Sequence, residues 1–351
     1  MGVIGGQILP LNERQRFAYD FFKNQELELK EIGDKAGGFL PWHIGWRYEY
    51  FNCPYLLLEE DDTVTARFLD IFTNIVDISK EGKIVLSPML KNEGRLGRFF
   101  TQTLEENSWR GILTPDAVRQ ATGQISAYFE NGPPVGIDMF GNMTHQPGAW
   151  LVKYSKKEFV EQMYNFGRFR ISPASEYANE NHSKAVKDVE MERSYRLKAL
   201  VDILAGRDTF NFQGIKIPIR NGVVPVDFVL DDYYLFSSCK EIDRRMPTDF
   251  QSNAALVIKD KVKFVSMLKE ALLQKLTSWE FLEREVNYYD PYNDLPNDPN
   301  QEFRKHFSYS YQKEHRCILR QKRSPALDMH LEPFFVELGS LHGITEIVTA
   351  K

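Results

Sequence analysis

Ser308–Leu319 reads SYSYQKEHRCIL, and its residue types alternate along the chain. On a strand, successive side chains point to opposite faces. Ser310, Gln312, Glu314, Arg316 and Ile318 then share one face, and Tyr309, Tyr311, Lys313, His315 and Cys317 share the other. Gln312 and Glu314 would stand about 7 Å apart by strand rise. An amide beside a carboxylate suits the hydroxyls of a sugar. The plainer reading of the same pattern is an exposed edge strand with solvated charges. Glu314 and Arg316 would then be a surface ion pair worth little.

Working outward, Tyr288–Asn300 (YYDPYNDLPNDPN) is a turn-rich loop that leads into this strand. Glu332–Leu338 and Ile344–Val348 follow it as strands. Ahead of it, Asp260 starts a helix running to about Leu276, and Ala254–Ile258 (AALVI) is a buried type of strand. Asp232–Ser238 is a further strand, and Ala199–Ile219 reads as short strands around a turn at Gln213-Gly214. Trp150–Tyr154 and Arg168–Ser172 are short strands on either side of a helix, Lys156–Asn165, capped by Ser155 and stopped by Gly167.

Before residue 149 the pattern is mainly helical. Leu11–Gln25, capped by Asn12, and Arg67–Ile78 have helical apolar spacing, and a third helix starts near Asp116. EGKIVLSPML holds a short strand. The aromatic patch Pro41–Asp62 reads as core, with stacking of Trp42, Trp46, Tyr48 and Tyr50 on a base or sugar as the alternative. Glu130–Gly148 is rich in Gly, Pro and Asn and reads as a linker; its His145 takes no role. The expected division is a mixed, mainly helical unit over residues 1–148. Residues 149–351 form a second unit, and the fold class is α+β.

With 351 residues, a net charge of −5 and 42% hydrophobic residues, the composition is that of a globular chain long enough for two domains. The mild acidity gives no global reason to expect nucleic acid. Cys53, Cys239 and Cys317 are far apart and odd in number, so a disulfide framework or zinc site is not expected. No secretory leader or apolar run of membrane-spanning length is read, so the expectation is cytoplasmic, with no membrane partner. Phosphate-loop, dinucleotide-fold, HExxH and GxSxG signatures are missing. Asp188, Glu190 and Glu192 could hold a divalent metal if a loop gathered them. That is the basis of a metal-dependent nuclease alternative, although Lys240 and Glu241, being adjacent, face opposite ways on a strand.

Three separated pieces, in order, resemble the ADP-ribosyltransferase superfamily, and more closely uncharacterised bacterial proteins at its margin. They are WLVKY, a helix, then FGRFRIS over Trp150–Ser172; LFSSCK over Leu235–Lys240; and YQKEHR over Tyr311–Arg316. The resemblance runs from Trp150 to the C-terminus. It implies two small, mostly antiparallel sheets with flanking helices, and NAD as the substrate. Glu314 is the implied catalytic carboxylate, and Gln312 would orient the acceptor or ribose. Lys153 stands where the family has His or Arg, so Lys153 or Arg170 would hold phosphate oxygens. Ser172, Ser237 and Ser238 fall in the implied binding strands, and Tyr154, Tyr177 or Tyr311 would stack on nicotinamide. The partner implied is a macromolecular acceptor, protein, RNA or DNA, with an antitoxin or regulatory partner if the chain is a toxin or antiphage effector. The other expectation is a catalytically silent relative that binds protein or nucleic acid. The transferase reading requires Lys153, Ser237 and Glu314 to converge in one cleft between two small sheets.

Overall fold

The computed structural model describes residues 11–92, 94–130, 132–144, 148–179, 185, 188–198, 207, 209–212, 214–219, 223–322 and 330–351. His145, Gln213 and the stretch 199–206 lie outside them. The chain is α+β. Among the described residues no helix is long and apolar enough to cross a membrane.

The main sheet has eight strands: β1 Leu151–Ser155, β2 Arg168–Pro173, β3 Tyr234–Cys239, β4 Ala254–Ile258, β5 Trp279–Glu285, β6 Glu314–Gln321, β7 Phe334–Glu337 and β8 Thr345–Thr349. Their order is β5-β6-β3-β1-β4-β8, all antiparallel. A side branch leaves β3, which also pairs with β2, and β2 pairs with β7. One edge of β3 therefore forks. Its Leu235 end meets Ser172 of β2, and its Cys239 end meets Val152 of β1. Ser237 sits between the two pairings, where the ladder is open.

The apolar alternation explains how the sheet is covered. Helix Lys261–Lys275 starts at Asp260, whose side chain accepts from Lys263 N, and it buries Phe264, Leu268 and Leu272 at four-residue spacing. Helix Lys157–Phe166 buries Val160 and Met163 in the same core. Its N-cap is Lys156 and not Ser155; the Lys157 N–H bonds Asn253 Oδ1. Gly167 ends this helix at φ +60, and a Cβ there would meet Gly339 O at 2.4 Å, so only glycine fits.

Three expectations are corrected. The stretch Ser308–Leu319 is not one strand. Phe307–Gln312 is a 3-10 turn, Lys313 is left-handed (φ 46, ψ 53), and the strand starts at Glu314. Local bonds draw the serines out of the ladder: Ser310 Oγ donates to Phe307 O at 2.7 Å, and Ser308 N–H donates to His306 Nδ1. The Tyr311 N–H goes to Asn74 Oδ1 at 2.8 Å. Nor is β6 an edge strand, because β5 and β3 flank it and Glu314–Leu319 are buried. The Gly/Pro-rich segment 130–148 contains a helix, Val135–Phe140, whose Met139 and Phe140 pack with Val152 and Tyr154.

Several other elements follow the sequence with shifted ends, whereas helix Trp42–Asn52 and the pair Glu192–Lys198 with Val223–Val229 were not expected. Helices run over Glu13–Lys35, Trp42–Asn52, Asp61–Ile75 and Pro115–Ser126, with capping side chains at Asn12 and Thr114. Arg95–Arg110 is a helix that the sequence reading did not single out. Val76–Ile78, read as the helix end, pairs with Ile84–Leu86. A hairpin joins Thr209–Phe212 to Ile215–Pro218, and Glu192–Lys198 pairs with Val223–Val229. Tyr292 packs with Phe22, Tyr50 and Phe51, and Phe307 packs with Ile71 and Phe99, so the helical region and the strands share cores.

Candidate functional site

The fork in β3 creates the site. Lys153, at the centre of β1, sends its ammonium across the gap to the Ser237 carbonyl at 2.6 Å. Ser237 Oγ donates to Glu314 Oε2 on β6 at 2.8 Å. Lys153, Ser237 and Glu314 thus link three adjacent strands at one cavity of about 280 Å3, also lined by Gln312, Lys305 and Tyr177. The three residues share one cavity, but they stand on adjacent strands of a single eight-stranded sheet and not in a cleft between two small sheets. Burial lowers the pKa of Lys153 below that of an ordinary lysine.

Glu314 is held on every side. Lys305 Nζ donates to its Oε1 at 2.6 Å, and Arg316 Nε donates to Oε2 at 2.9 Å. Its own N–H donates to the Tyr288 hydroxyl at 2.8 Å. Burial pushes the Glu314 carboxyl up, but Arg316 and Lys305 outweigh it and bring it to about 2. Arg316, fully buried, also forks onto Glu190 through Nη1 at 2.8 Å and Nη2 at 2.5 Å. Arg193 Nη2 reaches the same Glu190 at 3.2 Å.

Asp188 completes this cluster differently. Its Oδ2 lies 3.4 Å from Lys305 Nζ yet accepts no hydrogen bond among the described residues. Lys305 sits closer to Glu314, so its charge is spent mainly there. Burial first, then the Glu190 carboxylate, push Asp188 up to about 6 despite Lys305. Glu190 itself is held below the usual carboxylate range: burial opposes this, and Arg316, Lys305 and Arg193 prevail.

The expected site residues divide. Lys153, Tyr154, Ser237, Ser238, Gln312 and Glu314 line the cavity. Gln312 gets there through the left-handed turn and not along a strand; its Oε1 accepts from Lys305 at 3.1 Å and its Nε2 donates to Ala185 O at 2.7 Å. Tyr154 is tied down, its hydroxyl accepting from Asp243 N–H and donating to Asp243 O. Ser238 Oγ donates to His315 O at 3.4 Å. Arg170 is half exposed, bonds both oxygens of Glu176, and does not line the cavity. Ser172 is buried in the β2–β3 pairing, away from it. Tyr177 lines it, and Tyr311 lines a neighbouring cavity.

The acids of the metal alternative are not gathered into one ligand set. Among the described residues no group of three His, Cys, Asp or Glu side chains could hold an ion. Asp188 and Glu190 face Lys305 while Glu192 is exposed, and cations already fill the space between the acids. Sequence reasoning missed Lys305, Arg193 and this role of Glu190. Lys305 lies on the short strand Arg304–His306, which pairs in parallel with Asn287–Tyr289 and carries no periodic signal.

No family model matches this chain, and no curated protein or solved structure matches it either. The chain is an α+β protein with a forked antiparallel sheet and a buried, cation-clamped carboxylate at the fork.

Proposed function

We propose that the protein is an NAD-dependent ADP-ribosyltransferase acting on a macromolecule, with Glu314 as its catalytic carboxylate. The observation that carries this reading is the run Lys153–Ser237–Glu314 across three strands at one cavity wall, with Glu314 kept ionised. The chemistry needs an anion. The C1′–N bond to nicotinamide breaks, the electron pair leaves with the pyridinium nitrogen, and the ribose becomes an oxocarbenium ion. A carboxylate beside it lowers that barrier, as in glycoside hydrolysis. An acceptor heteroatom then bonds to C1′ and releases its proton to solvent. Gln312 would orient ribose or acceptor. A cavity of about 280 Å3 lies at the small end for a ligand site. It suits the nicotinamide-ribose half, with the rest extending past Lys156 at its rim.

A second reading, a silent binding module, is favoured by a specific observation. Both Glu314 oxygens are already bonded, Oε1 by Lys305 and Oε2 by Arg316 and Ser237. Incubating labelled NAD with the purified protein and a whole-cell lysate separates the two. Label entering protein or nucleic acid, and lost in a folded Glu314→Gln variant, supports transfer. Labelled NAD left intact by the wild type overturns it in favour of the binding module.

A further inference from the structure

Beside the Glu314 cavity lies a larger one of about 580 Å3. Ala185 lines both. Tyr311 faces the larger and Gln312, the next residue, the smaller. Protein interiors seldom keep voids much larger than a water, and this volume falls within the range of small-molecule sites. Part of its lining is apolar: Phe72 and Val76, then Ala121 and Ile125 from helix Pro115–Ser126.

Its floor is polar and buried. Arg245, 4% exposed, lies against the Tyr311 ring with its guanidinium carbon 4.2 Å from the centroid. It donates from Nε to Asp249, from Nη1 to Thr73 O and Val76 O, and from Nη2 to the Tyr128 hydroxyl. Of its five N–H groups, one on Nη2 has no partner among the described residues. The Tyr311 hydroxyl accepts from Gln312 Nε2 at 3.4 Å, and its own hydrogen has no acceptor among the described residues. Aromatic and aliphatic side chains together with the Arg245 and Tyr311 donors suit a flat ring whose rim carries nitrogen or carbonyl acceptors. A purely apolar ligand would leave those donors unpaired, at a cost, and a free sugar would not use the walls.

We propose that this cavity is a binding site for a purine-sized nitrogen heterocycle, held against its apolar lining and read by Arg245 and Tyr311. The site stands whether or not Glu314 transfers ADP-ribose. Titration calorimetry of the full chain with adenosine and guanosine, and with ribose as control, tests it. At least one nucleoside is expected to bind saturably, one per chain, with Kd of about 1 mM or tighter, and ribose not at all. Ile125→Trp, which fills the cavity from its half-exposed rim, should weaken binding at least about tenfold, or 1.4 kcal/mol. Glu314→Gln should leave it unchanged. No binding of either nucleoside, or binding equal in Ile125→Trp, overturns the proposal. So does binding lost only in Glu314→Gln, which would put the nucleoside in the smaller cavity. A protein that binds nucleoside but leaves NAD intact would fail the transferase reading and keep this one.

Discussion

Arg316 is the residue on which the cluster depends. It is fully buried between Glu190 and Glu314, so removing it leaves two carboxylates in a dry interior. Arg316→Met should lower stability by about 3–5 kcal/mol, read as a shift in the denaturant midpoint. Asp188 predicts the opposite sign. Its folded carboxyl titrates at about 6, against about 3.9 unfolded. Between those values the unfolded chain has lost its proton and the folded one has not, so stability falls as pH rises through this window. Asp188→Asn should therefore stabilise the protein at pH 7–8 by on the order of 2 kcal/mol, with the gain gone below about pH 4. A loss of stability at pH 8 would show that the Lys305 contact outweighs burial. Glu314 runs the other way. Depressed to about 2, it contributes stability above its unfolded pKa of about 4.3 that disappears as acid takes the pH down through 2. At this scale the sequence reading was legible where periodicity carried it. Glu314 and Arg316 share a face because strand alternation puts them there. Lys305 was not legible, since nothing local marks a lysine that a parallel pairing with Asn287–Tyr289 brings beneath Glu314.

Elements built on apolar periodicity were readable, and those decided by tertiary bonds were not. Helix Lys261–Lys275 and strand Ala254–Ile258 follow from their side chains alone. The 3-10 turn at Phe307–Gln312 depends on Asn74, more than two hundred residues earlier in the chain. Helix Val135–Phe140 was hidden by the Gly, Pro and Asn around it, and Gly136 is what lets it pack. A Cβ at Gly136 would meet Arg244 O at 2.1 Å. In a linker, Gly136→Ala would be silent. In this fold it should cost about 1–3 kcal/mol, measured by thermal or chemical unfolding.

Across the whole molecule, the helical region and the strands are joined by buried chemistry. Arg67 pairs with Asp290 at 2.5 Å, both nearly without exposure, and Asn74 bonds both Ser308 O and Tyr311 N. Arg67→Ala should leave Asp290 unpaired and lower the midpoint of one cooperative transition, not detach the helices as a separate step. Two resolved transitions in calorimetry would contradict this coupling. It bears on function because the Asn74 contacts fix the turn that carries Gln312 into the Glu314 cavity. The most direct test of the transferase reading is nicotinamide release from NAD by the purified protein with lysate present, wild type beside Glu314→Gln. Release by the wild type, abolished by a substitution that keeps the side chain's size and removes its charge, is the predicted result. No release by the wild type, or equal release by both, would contradict a catalytic role for Glu314.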